Sequence, residues 1–464
     1  MMEIYESLFI SGVFLLGGIQ MENVYVMKST SRYTGIHLTE KEFEIIKYIH
    51  DFSVFPAGNI HRLFNSGLKK LRSKHAISMR LGKLVKSGIL VQLKTNFPKQ
   101  GENRPPQYAY RLGSRGFDLL MQEEMITEKD AERRKKYGPQ LNMPTPHNKA
   151  VNTIFTELVE RLIGSEESFN SLQCQYFRGD QHKEISYANS QTGYSPVIPD
   201  WIYDTKDQII CLELDTGRQT NSIIKAKFGR YQRLARYLEK PLVVVFSVGL
   251  STLTDDDSPK EKRVGSLKQL FSEHTDWPEN FEMFVLPSHR TPDFLYKMLK
   301  NRATVTNLQA KGVTNNWLTY SRQASKQKMS YRIGQNENLN RLLFQDTYNL
   351  DFITELLPGN EIIPTGLLYM DEGSVRSHQK ARANMRRIQT WNNRLDSYEP
   401  KASLFLVYNE ASNAFNEILA LQPECRTFIV NVEEVIAAAK SKEQMFPLMI
   451  EILTPYTRKP CKLL

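Results

Sequence analysis

Cysteine is scarce and scattered in this chain of 464 residues. Cys174, Cys211, Cys425 and Cys461 lie far apart, and none belongs to a CxxC pair or to a Cys/His spacing typical of a zinc site. So few cysteines in a chain of this length also exclude a disulfide scaffold. The pattern favours a reducing, cytoplasmic setting.

The sequence also lacks a hydrophobic run long enough to cross a membrane. Its one membrane-like stretch, residues 8–19, has 12 residues, whereas a spanning helix needs roughly 20. Glu3 and Glu6 precede it, where a secretory signal carries Lys or Arg. Three interpretations of this stretch stay open. It is a segment that is buried or extraneous to the fold, a segment that contacts a partner, or a segment that associates with a membrane. We expect the folded chain to begin near Leu38.

The overall composition excludes a disordered or collagen-like chain. Hydrophobic residues make up 41% and charged residues 24%, as in ordinary globular proteins. At about 100–200 residues per domain, the length predicts two to four domains. The net charge of +10 favours a polyanionic partner without identifying it.

Acidic residues are nearly absent between His61 and Arg115. These 55 residues contain 13 Lys and Arg and a single acid, Glu102, so they carry +12 while the rest of the chain carries −2. Like charges at this density repel one another unless a counter-charge is bound. The segment therefore predicts contact with a polyanion such as DNA.

The same segment has the pattern of a winged helix. A Thr-Glu capping box at Thr39 begins one helix, helices over Pro56–Phe64 and Ser73–Ser87 follow, and the strands Ile89–Lys94 and Gln107–Leu112 flank a basic turn. The third helix would lie in the major groove and the turn against phosphates. A winged helix that contacts protein is the alternative. The predicted DNA-binding residues are Lys74, His75, Ser78, Arg80, Lys83, Lys86, Lys94, Lys99 and Arg104.

A second region alternates helices with apolar strands. His147–Ile163 predicts an amphipathic helix, Ile209–Asp215 a strand, Ser222–Leu238 a long helix, and Pro241–Val248 a strand buried on both faces. A helix between two strands of one sheet is a crossover connection. The two strands are therefore predicted to be parallel.

Two carboxylates in this region carry the predicted chemistry. Asp200 begins one strand and Glu213 lies 13 residues later in the next, so a hairpin brings them to one edge. Oxygen ligands favour Mg²⁺ or Mn²⁺, and a cation held there activates water or another oxygen nucleophile against a phosphodiester. A structural core without activity has the same pattern, so both interpretations stay open.

The motifs VIPD (197–200), LELDTG (212–217) and KFGRY (227–231) resemble those of the replication-relaxation family of bacterial plasmids and integrative elements. That family joins a winged helix to a PD-(D/E)xK nuclease-like core, and it includes relaxases without the three-histidine site. The resemblance covers about residues 37–287. It implies double-stranded DNA at an origin of transfer or replication as the substrate, with accessory plasmid or coupling proteins as further partners.

The resemblance also implies roles for individual residues. Asp200 and Glu213 are the implied metal ligands. Asp215 stands where the nuclease motif has a lysine that stabilises charge at the phosphate. Lys227 is the expected substitute, and Tyr231, one turn later, projects the same way. A solvated lysine and a packing tyrosine are the alternatives.

Two candidates come from the helix that precedes these strands. His147 opens that helix, where a capping or packing role competes with a role in the site. Glu157 supports a metal in many nuclease-fold proteins, whereas a solvated glutamate is the simpler interpretation here.

The last third of the chain repeats the pattern of the core. LYMDEG (368–373), a basic helix over Ser377–Leu395 and an apolar strand at 402–409 follow in the same order. Tyr369 takes the place of Glu213, so the copy is predicted to be degenerate. Coincidence between two α/β units is the alternative.

The predicted fold class is α/β. The predicted parts are an N-terminal extension (1–36), a winged helix (37–120), a linker (121–146), a PD-(D/E)xK restriction-endonuclease-like domain (147–300), a second linker (301–330) and a C-terminal α/β domain (331–464). Three functions fit. They are a metal-dependent nicking endonuclease of relaxase type, an inactive replication initiator or DNA-binding regulator, and a restriction- or transposition-type endonuclease. A single active core per chain favours nicking over double-strand cleavage.

Overall fold

A computed structural model divides the chain into two compact units, residues 1–171 and residues 172–464. The architecture is mixed α/β with several sheets, as the sequence predicts. No helix within the described residues is long and apolar enough to span a bilayer. The hydrophobic stretch 8–19 and the predicted linker 301–330 lie outside those residues. The structure describes residues 24–94, 108–137, 146–249, 258–274, 276–300, 332–333, 352–356, 363–396, 401–410, 425–434, 437, 449–453 and 458–461.

The first unit begins with a short antiparallel pair of strands. β1 (Val24–Met27) pairs with β2 (Ile36–Thr39), and the Tyr25 ring stacks on Phe43 with centroids 4.5 Å apart. The fold therefore starts earlier than the expected point near Leu38. Four residues are too few for alternation to stand out in a sequence, which explains why β1 was not predicted.

Three helices and an antiparallel sheet follow. They are α1 (Glu40–Phe52), β3 (Phe55–Pro56), α2 (Ala57–Asn65), α3 (Lys74–Lys86), β4 (Leu90–Lys94) and β5 (Tyr108–Leu112). The three strands pair in the order β3-β5-β4. The predicted capping box is confirmed, because Thr39 Oγ1 accepts from Glu42 N at 3.3 Å and Glu42 Oε2 accepts from Thr39 N at 3.0 Å. Ile77, Leu81 and Leu84 bury the inner face of α3.

The rest of the first unit is helical. Its helices are α4 (Ser114–Gln122), α5 (Glu128–Tyr137) and α6 (Pro146–Gly164). α5 lies within residues 121–146, the segment that the sequence predicts as a linker. α6 packs on α2, since Asn59 Nδ2 donates to Thr153 Oγ1 at 3.4 Å. It also contacts the turn before β3, where Asn152 Nδ2 donates to the Val54 carbonyl at 2.8 Å. The predicted nuclease-like domain begins at residue 147, whereas this helix lies in the first unit.

The second unit contains two sheets. The elements of the first are β6 (Gln175–Arg178), α7 (Lys183–Gln191), β7 (Trp201–Asp204), β8 (Ile209–Asp215), α8 (Asn221–Ala235), β9 (Leu242–Val248), α9 (Ser258–Ser272), β10 (Phe281–Pro287) and α10 (Thr291–Leu299). The strand order is β10-β9-β8-β7-β6. β6, β7 and β8 run antiparallel, and β8, β9 and β10 run parallel. The predicted parallel pair around α8 is confirmed, and both of its strands are buried throughout.

The second sheet repeats this pattern of directions. Its elements are β11 (Arg332–Ile333), β12 (Phe352–Leu356), β13 (Ile363–Met370), α11 (Val375–Asn392), β14 (Ser403–Tyr408), β15 (Thr427–Asn431), β16 (Met449–Ile452) and β17 (Arg458–Cys461). From β11 to β15, two antiparallel pairings precede two parallel ones. Gly217 and Gly373, each two residues after an Asp, both have positive φ, 76° and 73°. These agreements support the internal repeat, which stays a prediction.

His378 on α11 is fully buried, and neither of its ring nitrogens has a hydrogen-bond partner among the described residues. Burial, with the charges of Lys268 and Arg382, lowers the pKa of His378 well below 6.5. Below about pH 6.5 the unfolded chain binds a proton here that the folded chain does not. Protonation of His378 in the unfolded chain therefore lowers the free energy of unfolding as pH falls below about 6.5.

We expect His378→Leu to raise Tm, and to raise it more at pH 5 than at pH 8. Removing an unpaired buried polar group raises the free energy of unfolding by about 1–3 kcal/mol at any pH. The variant also avoids the loss of stability that protonation of His378 in the unfolded chain causes at low pH. Thermal denaturation across this range measures both effects. His289→Leu, at an exposed position, is the control. An equal gain at both pH values would contradict a neutral, unpaired His378.

Candidate functional site

The two predicted carboxylates lie together beside β8. Trp201 pairs with Leu212 across β7 and β8, so the residues before and after them are neighbours. Asp200 N donates to the Leu212 carbonyl at 3.1 Å, and Asp200 Oδ2 accepts from Leu214 N at 2.7 Å. The backbone on both sides of Glu213 therefore fixes Asp200. The convergence expected from the hairpin is present.

Glu213 is 2% exposed and accepts hydrogen bonds from two residues of α8. Lys227 Nζ donates to Oε2, and the Tyr231 hydroxyl donates to Oε1. Both donors face the strand, as their i,i+4 spacing predicts. Burial, with the nearby charge of Asp200, raises the pKa of Glu213 to about 7 against the opposing effect of Lys227.

Lys227 and Tyr231 differ in their access to solvent. Tyr231 is fully buried, and burial with the charge of Glu213 raises the pKa of its phenol well above 10. The Lys227 side chain keeps 17% of its surface exposed. In this arrangement the buried tyrosine orients Glu213, and part of the Lys227 side chain remains exposed.

Asp215 is neutralised by a residue that sequence reasoning missed. Arg263 Nε lies 2.7 Å from Asp215 Oδ2, and Gly217 N donates to Oδ1 at 3.0 Å. Arg263 also donates to Asn221 Oδ1 and to the Gln219 carbonyl. It therefore ties the end of β8 to the start of α8. The two partners are 48 residues apart, and no motif spacing links them.

His147 and Glu157 lie on α6, in the first unit. Glu157 Oε1 accepts from Arg62 Nη1 at 3.0 Å, and Arg62 also pairs with Glu160. Glu157 thus helps to hold α6 against α2. His147 is partly buried in the first turn of the helix.

Asp200 and Glu213 offer oxygen donors to a cation. No three His, Cys, Asp or Glu side chains of the described residues form a metal-binding group. Mg²⁺ is, however, commonly held by one or two carboxylates, with waters and substrate phosphates completing its shell. The repulsion by which Asp200 raises the pKa of Glu213 is relieved by such a cation. Asp200 and Glu213 are therefore the residues of this cluster whose oxygen atoms could hold such a cation.

The loop before Asp200 depends on a close backbone approach at Gly179. A Cβ on this buried glycine would lie 1.9 Å from the Pro199 carbonyl oxygen. Any larger residue must push Pro199, and with it Asp200, away from its place.

We therefore expect Gly179→Ala to lower the free energy of unfolding by about 1–3 kcal/mol, the usual effect of overpacking. Urea denaturation monitors this change. Gly58→Ala, where a Cβ meets nothing within 4 Å, is the control and should be at least as stable as wild type, because alanine favours a helix more than glycine does. Equal stability of Gly179→Ala and wild type would refute the close contact.

Most of the predicted DNA-binding residues lie on the exposed face of the first unit. The loop before α3 adds three exposed cations that the prediction had left out, Lys69, Lys70 and Arg72. Lys99 and Arg104 lie outside the described residues. The exposed members of the predicted set are Lys74, His75, Ser78, Lys83, Lys86 and Lys94.

Arg80 is the exception on α3. Its Nε lies 2.6 Å from Glu42 Oε1, its Nη2 lies 2.7 Å from Glu42 Oε2, and Nη2 also donates to the His37 carbonyl. Glu42 is itself buried. The guanidinium therefore anchors α3 to α1, and the lysines on either side remain exposed.

A continuous segment of the chain contains α3 and the residues around Glu213. Residues 46–247 match the replication-relaxation family. The resemblance inferred from the motifs is confirmed over this segment. The replication-relaxation match begins within α1 and ends within β9, so it includes Asp200 and Lys227 but neither Arg263 nor the second sheet. Comparison with curated proteins and with solved structures gave no match.

Proposed function

We propose that this protein is a DNA-processing enzyme of a plasmid or other mobile element that nicks one strand at an origin of transfer or replication. The arrangement around Glu213 carries the proposal. A buried carboxylate lies beside a second one, and a lysine ammonium contacts it from the next helix. The replication-relaxation match supports a role in the replication or mobilisation of such elements.

Each residue of this cluster has a role in the proposed reaction. Asp200 and Glu213 are the residues that would hold Mg²⁺ or Mn²⁺, and such a cation would supply a Lewis acid at the phosphate. Lys227 provides the positive charge at the phosphate that Asp215 cannot provide. Tyr231 orients Glu213 through its hydroxyl. Water is the proposed nucleophile, since Tyr231 is buried and its hydroxyl is engaged.

Binding to duplex DNA is assigned to the first unit, acting as a winged helix. α3 is the proposed major-groove helix. Lys74, Lys83 and Lys86 support this assignment, because they are exposed and have no ion-pair partner within the described part of the chain. They remain available to phosphate oxygens.

An end-labelled duplex carrying the element's own origin tests the proposal. With Mg²⁺ or Mn²⁺, we expect one strand to be shortened, with no protein attached to the DNA after denaturation. Tyr231→Phe should give the same products. A covalent adduct that Tyr231→Phe abolishes would replace the hydrolytic mechanism with a tyrosine nucleophile.

One observation favours a second candidate, an inactive initiator or regulator. Both carboxylate oxygens of Glu213 already accept hydrogen bonds, from Lys227 and Tyr231. In a protein that only binds DNA, this network would simply stabilise the core. Tight duplex binding without strand cleavage in either metal would select this alternative.

A further inference from the structure

A glycine lies in the interior of α3, on the face of the helix that points away from the fold. We propose that Gly82 is where α3 approaches the base edges of duplex DNA most closely, and that Met79 beside it contacts a base. The two residues thereby give the duplex-binding surface a preference for one sequence. Their roles rest on the proposed function, in which α3 binds the duplex.

The described part of the chain does not account for a glycine at this position. Gly82 is the ninth of the 13 residues of α3, so the chain is helical on both sides of it. After proline, glycine is the least favourable residue in a helix interior. A Cβ at Gly82 would meet nothing within 4 Å, so no neighbouring segment needs the space. The remaining benefit of a glycine is room for a ligand that lies against the helix backbone.

Gly82 belongs to a row of residues on the outside of α3. The buried apolar residues of this helix form its inner face. The residues on the opposite face are spaced by four, three and four positions, and all of them are exposed. They form the outer stripe, which consists of His75, Met79, Gly82 and Lys86.

The charge of α3 favours a polyanion over a protein as the ligand of the outer stripe. No residue of α3 is acidic, and its one arginine, Arg80, pairs inward with Glu42. Lys74 near the start of the helix and Lys83 and Lys86 near its end are exposed. Duplex DNA carries a negative charge about every 1.7 Å along its axis, so it can match all three lysines at once.

The dimensions of the major groove make the missing Cβ important. The groove is about 12 Å wide, and an α-helix with its side chains is about 10–12 Å across. A helix therefore enters the groove with little clearance. At Gly82 the backbone itself can lie closer to the base edges than a side chain would allow.

Met79 lies one turn before Gly82 and adds an apolar surface to the outer stripe. Its side chain is 57% exposed, although the charged residues of the helix lie around it. The apolar group that a base presents in the major groove is the C5 methyl of thymine. An unbranched, flexible thioether adapts its shape to such a group. Met79 is therefore assigned to a thymine beside the point of closest approach.

Fluorescence anisotropy on the full chain, at fixed salt, tests these roles with two labelled duplexes of equal length. One carries the element's own origin, and the other has an unrelated sequence. We expect Gly82→Ala to weaken binding to the origin duplex about tenfold, the effect of losing one good base contact. Binding to the unrelated duplex should stay within about twofold of wild type, because non-specific binding uses the phosphates.

The same variant should be more stable than wild type, which separates lost affinity from lost folding. Alanine favours a helix more than glycine does, so we expect Gly82→Ala to raise Tm by about 2–4 °C. Gly58→Ala makes the same change at an exposed glycine of α2 with an equally open Cβ position and should bind both duplexes like wild type. Met79→Ala should weaken binding to the origin duplex, and Met79→Leu, which keeps an apolar side chain, should restore most of it.

Three results would overturn the proposal. One is a Gly82→Ala chain that binds the origin duplex like wild type. Another is an equal loss with both duplexes, including a wild-type chain that does not distinguish them, since the bases would then play no part. The third is a lower Tm in Gly82→Ala, which would give the glycine a reason inside the fold. Failure of the proposed function gives a different pattern, in which no strand is cut while Gly82→Ala still loses affinity for the origin duplex.

Discussion

Asp200→Ala and Glu213→Ala are each expected to abolish nicking while duplex affinity stays within about threefold of wild type. Either change removes one of the two carboxylates proposed to hold the cation, and a single carboxylate does not fix the position of the cation relative to the phosphate as two do. Duplex binding is unaffected because the exposed lysines of the first unit carry it. Nicking rates and anisotropy with the same duplex measure the two effects.

Matched variants separate the loss of charge from the loss of packing. Glu213→Gln keeps one oxygen that accepts from Lys227, and its amide group can donate to the Tyr231 hydroxyl, so the variant should fold. It removes the negative charge and should therefore be inactive. Glu239→Ala removes an exposed carboxylate of the same unit and should stay active. Retained nicking in both Asp200→Ala and Glu213→Ala would refute the assignment of the active site.

Replacing Lys74, Lys83 and Lys86 with alanine is expected to weaken duplex binding at least tenfold and to flatten its salt dependence. Each lost phosphate contact removes about 0.9 from the slope of log K against log salt. The three lysines together thus account for a change of nearly three, which titration at several salt concentrations measures.

Two comparisons sharpen this test. Lys183→Ala with Lys206→Ala removes exposed lysines of the second unit and should leave the slope unchanged. Arg80→Ala should instead lower stability, because Arg80 anchors α3 to the buried Glu42. A salt slope equal to wild type in the triple variant would contradict DNA binding through α3.

The local pattern of the sequence predicts the elements well. The capping box at Thr39, α3 and β8 lie where the apolar spacing and the cap residues put them, because those signals depend on near neighbours. The convergence of Asp200 with Glu213 also follows from the sequence, since a short hairpin has few possible registers.

The partners of these residues were less predictable. Arg263 neutralises Asp215 from α9, and Arg80 turns inward to Glu42 although it lies among exposed lysines. Gly179 leaves no room for a Cβ because the Pro199 carbonyl oxygen lies against it. Each of these contacts is made by tertiary packing between segments without a common motif, so a sequence pattern alone does not specify it.

The most direct test of the central claim is relaxation of a supercoiled plasmid that carries the element's own origin. Purified full-length protein is incubated with Mg²⁺, with Mn²⁺ or with a chelator, and the products are separated on an agarose gel. We predict open circles with either metal, none with chelator and none with Glu213→Gln. Plasmid that stays supercoiled under all conditions while the protein binds it, or open circles from Glu213→Gln, would contradict the account.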